Sequence, residues 1–287
     1  MSSDFQPCGI ITFTTDFGGR DPFVALLKAA ALRRLPQARL VDITHELPAF
    51  RPEVAGFWLQ RSFEWFPEGS VHVAVVDPGV GSARRLLGVL VRGHVLIAPD
   101  NGLLGGILER WPEAVVSALE ATLPAALGLP TPSATFHGRD VMAPVAAEVA
   151  AGRLDPRALG PQVSDWVRGG LPVAQRLARE VRGRVVTIDR YGNLITNIGA
   201  ELVSADFAPL EVQAAGQDLP WGRTYADVPE GRCLGLVNSF GVVEIGCNRG
   251  SAARTLSLNE TDPVTVLGGN PGTPALIKGL KGGANPL

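Results

Sequence analysis

Three stretches carry the side chains best suited to chemistry. In AVVDPGVGSARR (residues 74–85) an apolar run ends on Asp77, and a Pro- and Gly-rich connection leads to Arg84. In FHGRD (residues 136–140) His137 stands in a glycine-containing turn ahead of an alanine-rich run, and in TTDFGGRD (residues 14–21) Asp16 precedes two glycines. A carboxylate, a guanidinium and an imidazole gathered at one point can orient and deprotonate a water molecule. A phosphate loop would instead need a Lys-Ser/Thr pair and an immediate helix after its glycines. The Asp77 loop has no lysine, and RRLLGVLV beyond it has the pattern of a strand.

The Pro-Gly connection favours a tight reversal. Such a reversal would return Arg84 to the side of Asp77 at a strand end, where open α/β sheets place ligands. An ion pair that only pins the loop fits the same residues. A helix N-terminus would keep His137 neutral, because the positive end of the dipole disfavours imidazolium; a histidine that merely satisfies a turn is the plainer alternative. Asp16 suits a ribose diol, or equally a helix cap, and the missing G-x-G-x-x-G pattern argues against a nicotinamide cofactor. In IDRYGNLITNI (residues 188–198), Asp189, Asn193 and Asn197 could read a nucleobase edge or an ammonium group; a β-turn around Gly192 explains the stretch as well.

The elements that must hold these residues are legible from periodicity. GIITFTTD, ARLVDITH and VHVAVVD are β-branched runs with the pattern of strands. Between them PFVALLKAAALRRL and PEVAGFWLQRSFEWF have helical spacing, each opened by a proline (Pro22, Pro52). Strand and helix in alternation predict a parallel α/β layer. LLGVLVRGHVLIAPD predicts two short strands around Arg92-Gly93, and residues 138–152 a helix closed by Gly152. Beyond about residue 170 the runs are short, β-rich and broken by Gly, Asn and Pro, with no convincing helix, as in a small barrel. The expected organisation is therefore an N-terminal α/β domain with a mostly parallel central sheet (residues 1–170) and a smaller C-terminal β-barrel domain (residues 171–287). A linker is expected within residues 161–180 and a frayed tail at KGGANPL.

Composition excludes several classes. The 287 residues are 46% hydrophobic and 19% charged, an ordinary globular balance. A net charge of -2 without a basic stripe predicts no nucleic-acid partner. No apolar run approaches the roughly 20 residues that span a bilayer, so no membrane partner is expected. MSSDFQPCG lacks the charge pattern of a secretory signal, which predicts a cytoplasmic protein. Cys8, Cys233 and Cys247 are too few and too scattered for a disulfide framework or a zinc cluster.

Seven stretches together resemble the S-adenosyl-L-methionine (SAM) hydroxide adenosyltransferases, the adenosine-forming SAM hydrolases related to fluorinases and chlorinases. They are ITFTTDFGGRDPFVALLKA, VDITHELPAF, GSVHVAVVDPGVGSARR, IAPDNGLL, FHGRDVMAPVAA, IDRYGNLITNI and VNSFGVVEIGCNRGSAA, running from residue 10 to about 253. The resemblance implies hydrolysis of SAM to adenosine and L-methionine, with no cofactor and no metal. It implies a homotrimer whose substrate lies between one subunit's first domain and its neighbour's second. It carries the water-activating set onto Asp77, Arg84 and His137, the ribose-binding aspartate onto Asp16, and the residue near the sugar onto Phe50. In the second domain it places Asp189 near the ammonium, Ser239 near the carboxylate and Asn193 at adenine, with backbone contacts from the segment of Arg249. Fluorinases have a hydroxyl-bearing residue at the position of Val80 and a serine at that of Gly138, and lack the Asp and His of positions 77 and 137. A bare halide needs donors and no base, so the set present here fits water. A halide-using adenosyl transferase and a non-catalytic SAM or adenosine sensor are the alternatives. Phe240 stands where some relatives carry a polar residue.

Overall fold

The computed structural model describes residues 5–204 and 207–269; the expected tail lies outside them. The chain divides into two compact units, Met1–Leu171 and Pro172–Leu287.

In chain order the first unit contains β1 (Ile10–Thr15), α1 (Phe23–Arg34), β2 (Arg39–Thr44), α2 (Pro52–Ser62), β3 (Val71–Val75), β4 (Leu86–Val91), β5 (His94–Pro99), α3 (Gly105–Arg110), β6 (Val115–Ala118), α4 (Leu123–Ala126) and α5 (Ala143–Ala150). The sheet order is β2-β1-β3-β5-β4-β6. β2, β1, β3 and β5 pair in parallel, while β4 is antiparallel to both β5 and β6. Five strands therefore run one way and β4 opposes them, the mostly parallel sheet that alternating periodicity implied. β1 and β3 are buried along their whole length, as continuous apolar strands covered on both faces must be. Every residue of α5 is buried too. Its alanines let it lie close on the sheet, with Leu27 and Ala31 of α1 in the same core.

Four local features differ from the pattern, each for a physical reason. α2 stops at Ser62, whose hydroxyl donates back to the Trp58 carbonyl, and a 3-10 turn (Phe63–Trp65) follows. β2 is an edge strand and largely exposed. Residues Gly138–Met142 form a π turn rather than the start of an α-helix. Pro144 supplies the reason: it has no N–H for the carbonyl four residues back, and its ring crowds that carbonyl, so the chain widens. The expected linker is in part a strap on the first unit. Arg85 binds Asp100 and Asp165 (2.7 and 2.8 Å), and the Val167 N–H donates to Asp100 at 2.8 Å.

The hairpin between β4 and β5 turns where expected, with Arg92 and Gly93 both at positive φ (51° and 75°). Two buried histidines on neighbouring strands form a polar series within the first unit. Thr12 Oγ1 lies 2.8 Å from His72 Nδ1, and His72 Nε2 lies 3.2 Å from His94 Nδ1. Phe63 packs edge-on against both rings.

The second unit contains β7 (Gln175–Arg176), β8 (Glu180–Ile188), β9 (Leu194–Gly199), β10 (Pro209–Ala214), β11 (Gln217–Pro220), β12 (Cys233–Val237), β13 (Val242–Cys247), α6 (Ala252–Leu256) and β14 (Pro263–Gly268). The antiparallel path β11-β10-β14-β8-β9-β13-β12, with β7 on β8, nearly closes through a bridge between Trp221 and Gly235. It is the expected small barrel. The short α6, capped by the Ser251 hydroxyl, departs from the expectation of no helix. Cys233 and Cys247 face each other in the β12–β13 ladder and form a disulfide, a single link rather than a framework. Register joined them, which spacing along the chain does not reveal. No helix among the described residues is long and apolar enough to cross a membrane.

Candidate active site

At the C-terminal ends of β1 and β3 the first unit opens a cleft of about 570 Å³, lined among others by Asp16, Phe50, Asp77, Phe136 and His137. The Asp77 loop makes the expected reversal. Val80 N–H bonds the Asp77 carbonyl, and the Ser82 hydroxyl donates to the Gly79 carbonyl and accepts from Arg84 N–H. Gly81 sits at φ +81°, and a Cβ there would stand 2.4 Å from the Ala134 carbonyl. Only glycine lets this loop touch the segment that leads to His137.

The reversal brings Arg84 Nε to 2.9 Å from both Asp77 oxygens, and Arg84 Nη2 also donates to Asp77 Oδ2. The same Nη2 lies 3.0 Å from His137 Nδ1. A guanidinium can only donate, so Nδ1 is the acceptor and a neutral His137 carries its proton on Nε2. Burial lowers the His137 pKa, and the adjacent Arg84 lowers it further against the opposing pull of Asp77 and Asp140. The imidazole is thus neutral near pH 7, as expected, with burial and the guanidinium as causes, and His137 stands at the N-cap of the π turn. Asp140, which spacing did not single out, holds the turn by accepting from the Ser133 N–H and hydroxyl (2.9 and 2.6 Å) and from Arg139.

Asp16 caps no helix. Its Oδ2 accepts the Phe50 N–H at 3.0 Å, and Phe50 sits at φ +62° and is 71% exposed. A bulky residue in left-handed backbone beside a cleft is a mark of functional constraint.

In the second unit Asp189 and Asn193 form one cluster. Asp189 Oδ1 accepts Tyr191 N–H and Asn193 N–H, and Oδ2 accepts Asn193 Nδ2, each at 2.9 Å. Gly192, at φ +87°, completes the turn, so the β-turn reading and the clustering hold together. Asn197 is spent on the Arg184 N–H and the Pro172 carbonyl and stays outside the cluster. Ser239 is exposed in a turn held by Asn238, whose Oδ1 accepts Phe240 N–H at 3.0 Å. Two residues missed from sequence complete this region. Glu244, 3% exposed, accepts from Tyr225 Oη at 2.6 Å and Asn238 Nδ2 at 3.0 Å. Burial raises its pKa, partly offset by those donors. A lone glutamate within a short strand carries no signal of such a network. Among the described residues neither Asp189 nor Glu244 has a cationic partner in an ion pair. No group of three or more His, Cys, Asp or Glu among the described residues could hold a metal ion.

The model of the SAM hydroxide adenosyltransferase N-terminal domain matches residues 11–160, and that of the C-terminal domain matches residues 183–265. A Thermus thermophilus protein named (R)-S-adenosyl-L-methionine hydrolase is 41% identical over 263 residues, spanning 90% of this chain and 99% of its own. A Methanocaldococcus jannaschii protein of the same name is 30% identical over 272 residues, spanning 90% and 95%. A fluorinase from an Actinoplanes species is 28% identical over 294 residues, spanning 90% and 97%. The crystal structure of an uncharacterized conserved protein from Thermotoga maritima superposes with a TM-score of 0.81 at 30% identity, covering 90% of this chain and 99% of that one. With both halves matched in order, the chain belongs to the SAM hydroxide adenosyltransferase family.

Proposed function

We propose that the protein hydrolyses SAM to adenosine and L-methionine, in the cytoplasm. The observation that carries this reading is that Asp77 and His137, both on the wall of the cleft, are joined through Arg84 in one hydrogen-bonded chain. Water attacks the ribose C5′, the C5′–S bond breaks, and the sulfonium sulfur leaves with the electron pair as the neutral thioether of methionine. The attacking water loses one proton. Arg84 cannot take it, and His137 Nδ1 is occupied by Arg84, so Asp77 is the acceptor and its guanidinium partner fixes its orientation. His137 Nε2–H is a donor that can orient the water oxygen.

A positioned base is worth ~10²–10⁴-fold. Holding water in line with the breaking bond supplies effective molarities on the order of 10⁵ M or above, so positioning contributes more to the rate than the base does. Asp16 grips the ribose hydroxyls beside Phe50. Asp189 takes the ammonium, Ser239 the carboxylate and Asn193 the adenine, from a neighbouring subunit of a homotrimer.

In ¹⁸O-labelled water the label is expected on the adenosine 5′-oxygen. Unlabelled adenosine, no methionine release, or 5′-chloro-adenosine as main product when chloride is present would overturn the reading. Asp16→Ala is expected to weaken adenosine binding by about 1.5–3 kcal/mol, the range for a lost hydrogen bond to a charged group, as measured by calorimetry.

A further inference from the structure

We propose that His45 is a positioning residue for the adenosyl site: it latches the Asp16 loop to the Phe50 segment through Thr15, so that the Asp16 carboxylate meets a ribose diol. The inference rests on reading the cleft as an adenosyl site.

The β1–β2 ladder becomes irregular between Phe13 and Thr14, and its last pair is Thr14 with Thr44. Beyond that pair backbone pairing no longer holds the two chains side by side, yet both Asp16 and Phe50 lie beyond it. Three contacts replace the ladder. The Gly18 N–H donates to the His45 carbonyl at 2.7 Å, Thr15 Oγ1 meets His45 Nδ1 at 2.8 Å, and the Phe50 N–H reaches Asp16 at 3.0 Å.

The middle contact has a defined direction. Thr15 is fully buried, and its oxygen already accepts the Phe17 N–H at 3.2 Å. The described residues offer its proton no other acceptor, so the hydroxyl donates to His45 Nδ1, and the imidazole proton sits on Nε2. Nε2 lies 3.0 Å from Asp42 Oδ1, and against burial His45 helps to hold the Asp42 carboxyl below its usual range. Asp42 is held in turn by Lys28 Nζ at 2.5 Å. Polarity thus runs one way, from the Phe17 amide through Thr15 and His45 to an ion pair on the edge of the sheet. Thr15, His45, Asp42 and Lys28 do not line the cleft, whose lining includes Asp16, Phe17 and Phe50. The relay's position between the two segments makes it a brace for the ribose grip and leaves Asp77, at the end of another strand, independent of it.

The test compares adenosine with 2′,3′-dideoxyadenosine by calorimetry on the full chain. Wild-type protein should prefer adenosine by about tenfold or more, the worth of a charged hydrogen bond. In His45→Ala that preference should collapse to within about threefold while dideoxyadenosine affinity stays near the wild-type value, because only the diol contact is lost. His45→Asn keeps an acceptor near the Nδ1 position and should restore most of the preference. Thr15→Val removes the same link without leaving a void, and combined with His45→Ala it should add nothing further, as expected for one shared interaction. With SAM, KM should rise about tenfold while kcat stays within about threefold. A preference unchanged in both His45→Ala and Thr15→Val, or an equal loss of both ligands, overturns the role of His45. Wild-type protein that binds both nucleosides alike, or neither, overturns instead the adenosyl reading beneath it.

Discussion

Asp77→Ala should lower the single-turnover rate of SAM cleavage by ~10²–10⁴-fold while leaving the SAM dissociation constant nearly unchanged, as the proposed role of this carboxylate as the base for water requires. The direction follows from the inventory of acceptors. Arg84 only donates, and His137 uses Nδ1 to accept from Arg84, which leaves the Asp77 oxygens to receive the proton. The substitution has a second consequence. The Asp77 and Arg84 side chains are only 5% and 10% exposed, and removing one partner of such a pair typically costs about 3–5 kcal/mol because a charge is left buried alone. Asp77→Asn separates the two effects. The amide keeps the shape and one acceptor for Arg84 but is no base, so it should fold with a melting temperature nearer the wild type and still fail to turn over. An asparagine variant that hydrolyses SAM at the wild-type rate would show that proton acceptance lies elsewhere. His137→Gln keeps an acceptor for Arg84 and should cost less than either change at position 77.

Acid should destabilise the first unit well before its carboxylates are fully protonated. Burial, with the neighbouring His94 acting in the same direction, lowers the His72 pKa to about 3, whereas in the unfolded chain it lies near 6.5. Burial also lowers His94, partly opposed by Glu68 and Glu64. Because the folded pKa is the lower one, the unfolded chain binds the proton first as pH falls. The stability is fully present above about pH 6.5 and is lost progressively between pH 6.5 and pH 3. At pH 4 the loss attributable to His72 is on the order of 3 kcal/mol. Urea unfolding midpoints at pH 7.5, 5.5 and 4 measure it. His72→Asn should start less stable, since it disturbs the bond to Thr12, yet show a flatter acid limb. An acid limb identical in the two proteins would mean that His72 titrates normally in the folded state.

Much of this protein was legible before any coordinates. Continuous β-branched runs and helical runs in alternation dictated the layered first unit, and a chain of short strands broken by Gly and Asn dictated the barrel, because burial on one or two faces leaves that imprint on local sequence. The Asp77–Arg84 pair was legible for the same reason. Its members are seven residues apart, and a Pro-Gly connection between extended runs has few ways to turn. The I′ hairpin at Arg92-Gly93 belongs to this class as well. The family, too, could be identified from its motifs.

Tertiary structure decided what depends on partners far along the chain. His137 meets Arg84 across 53 residues, and no spacing rule could choose between that contact and a simple turn. Its neutral state comes from burial and a neighbouring cation, which exist only once the loops are packed. Cys233 and Cys247 pair because of strand register, and the buried Glu244 meets Tyr225 across 19 residues of chain. Nothing in the spacing of VDITHELPAF marks His45, whose partner Thr15 lies on a different strand. Sequence by itself determined elements, order and the short-range ion pair, since these follow from propensity, periodicity and local turn chemistry. Which distant polar groups meet, and in which protonation state, was decided by packing, because desolvation and hydrogen-bond direction are properties of the folded surroundings.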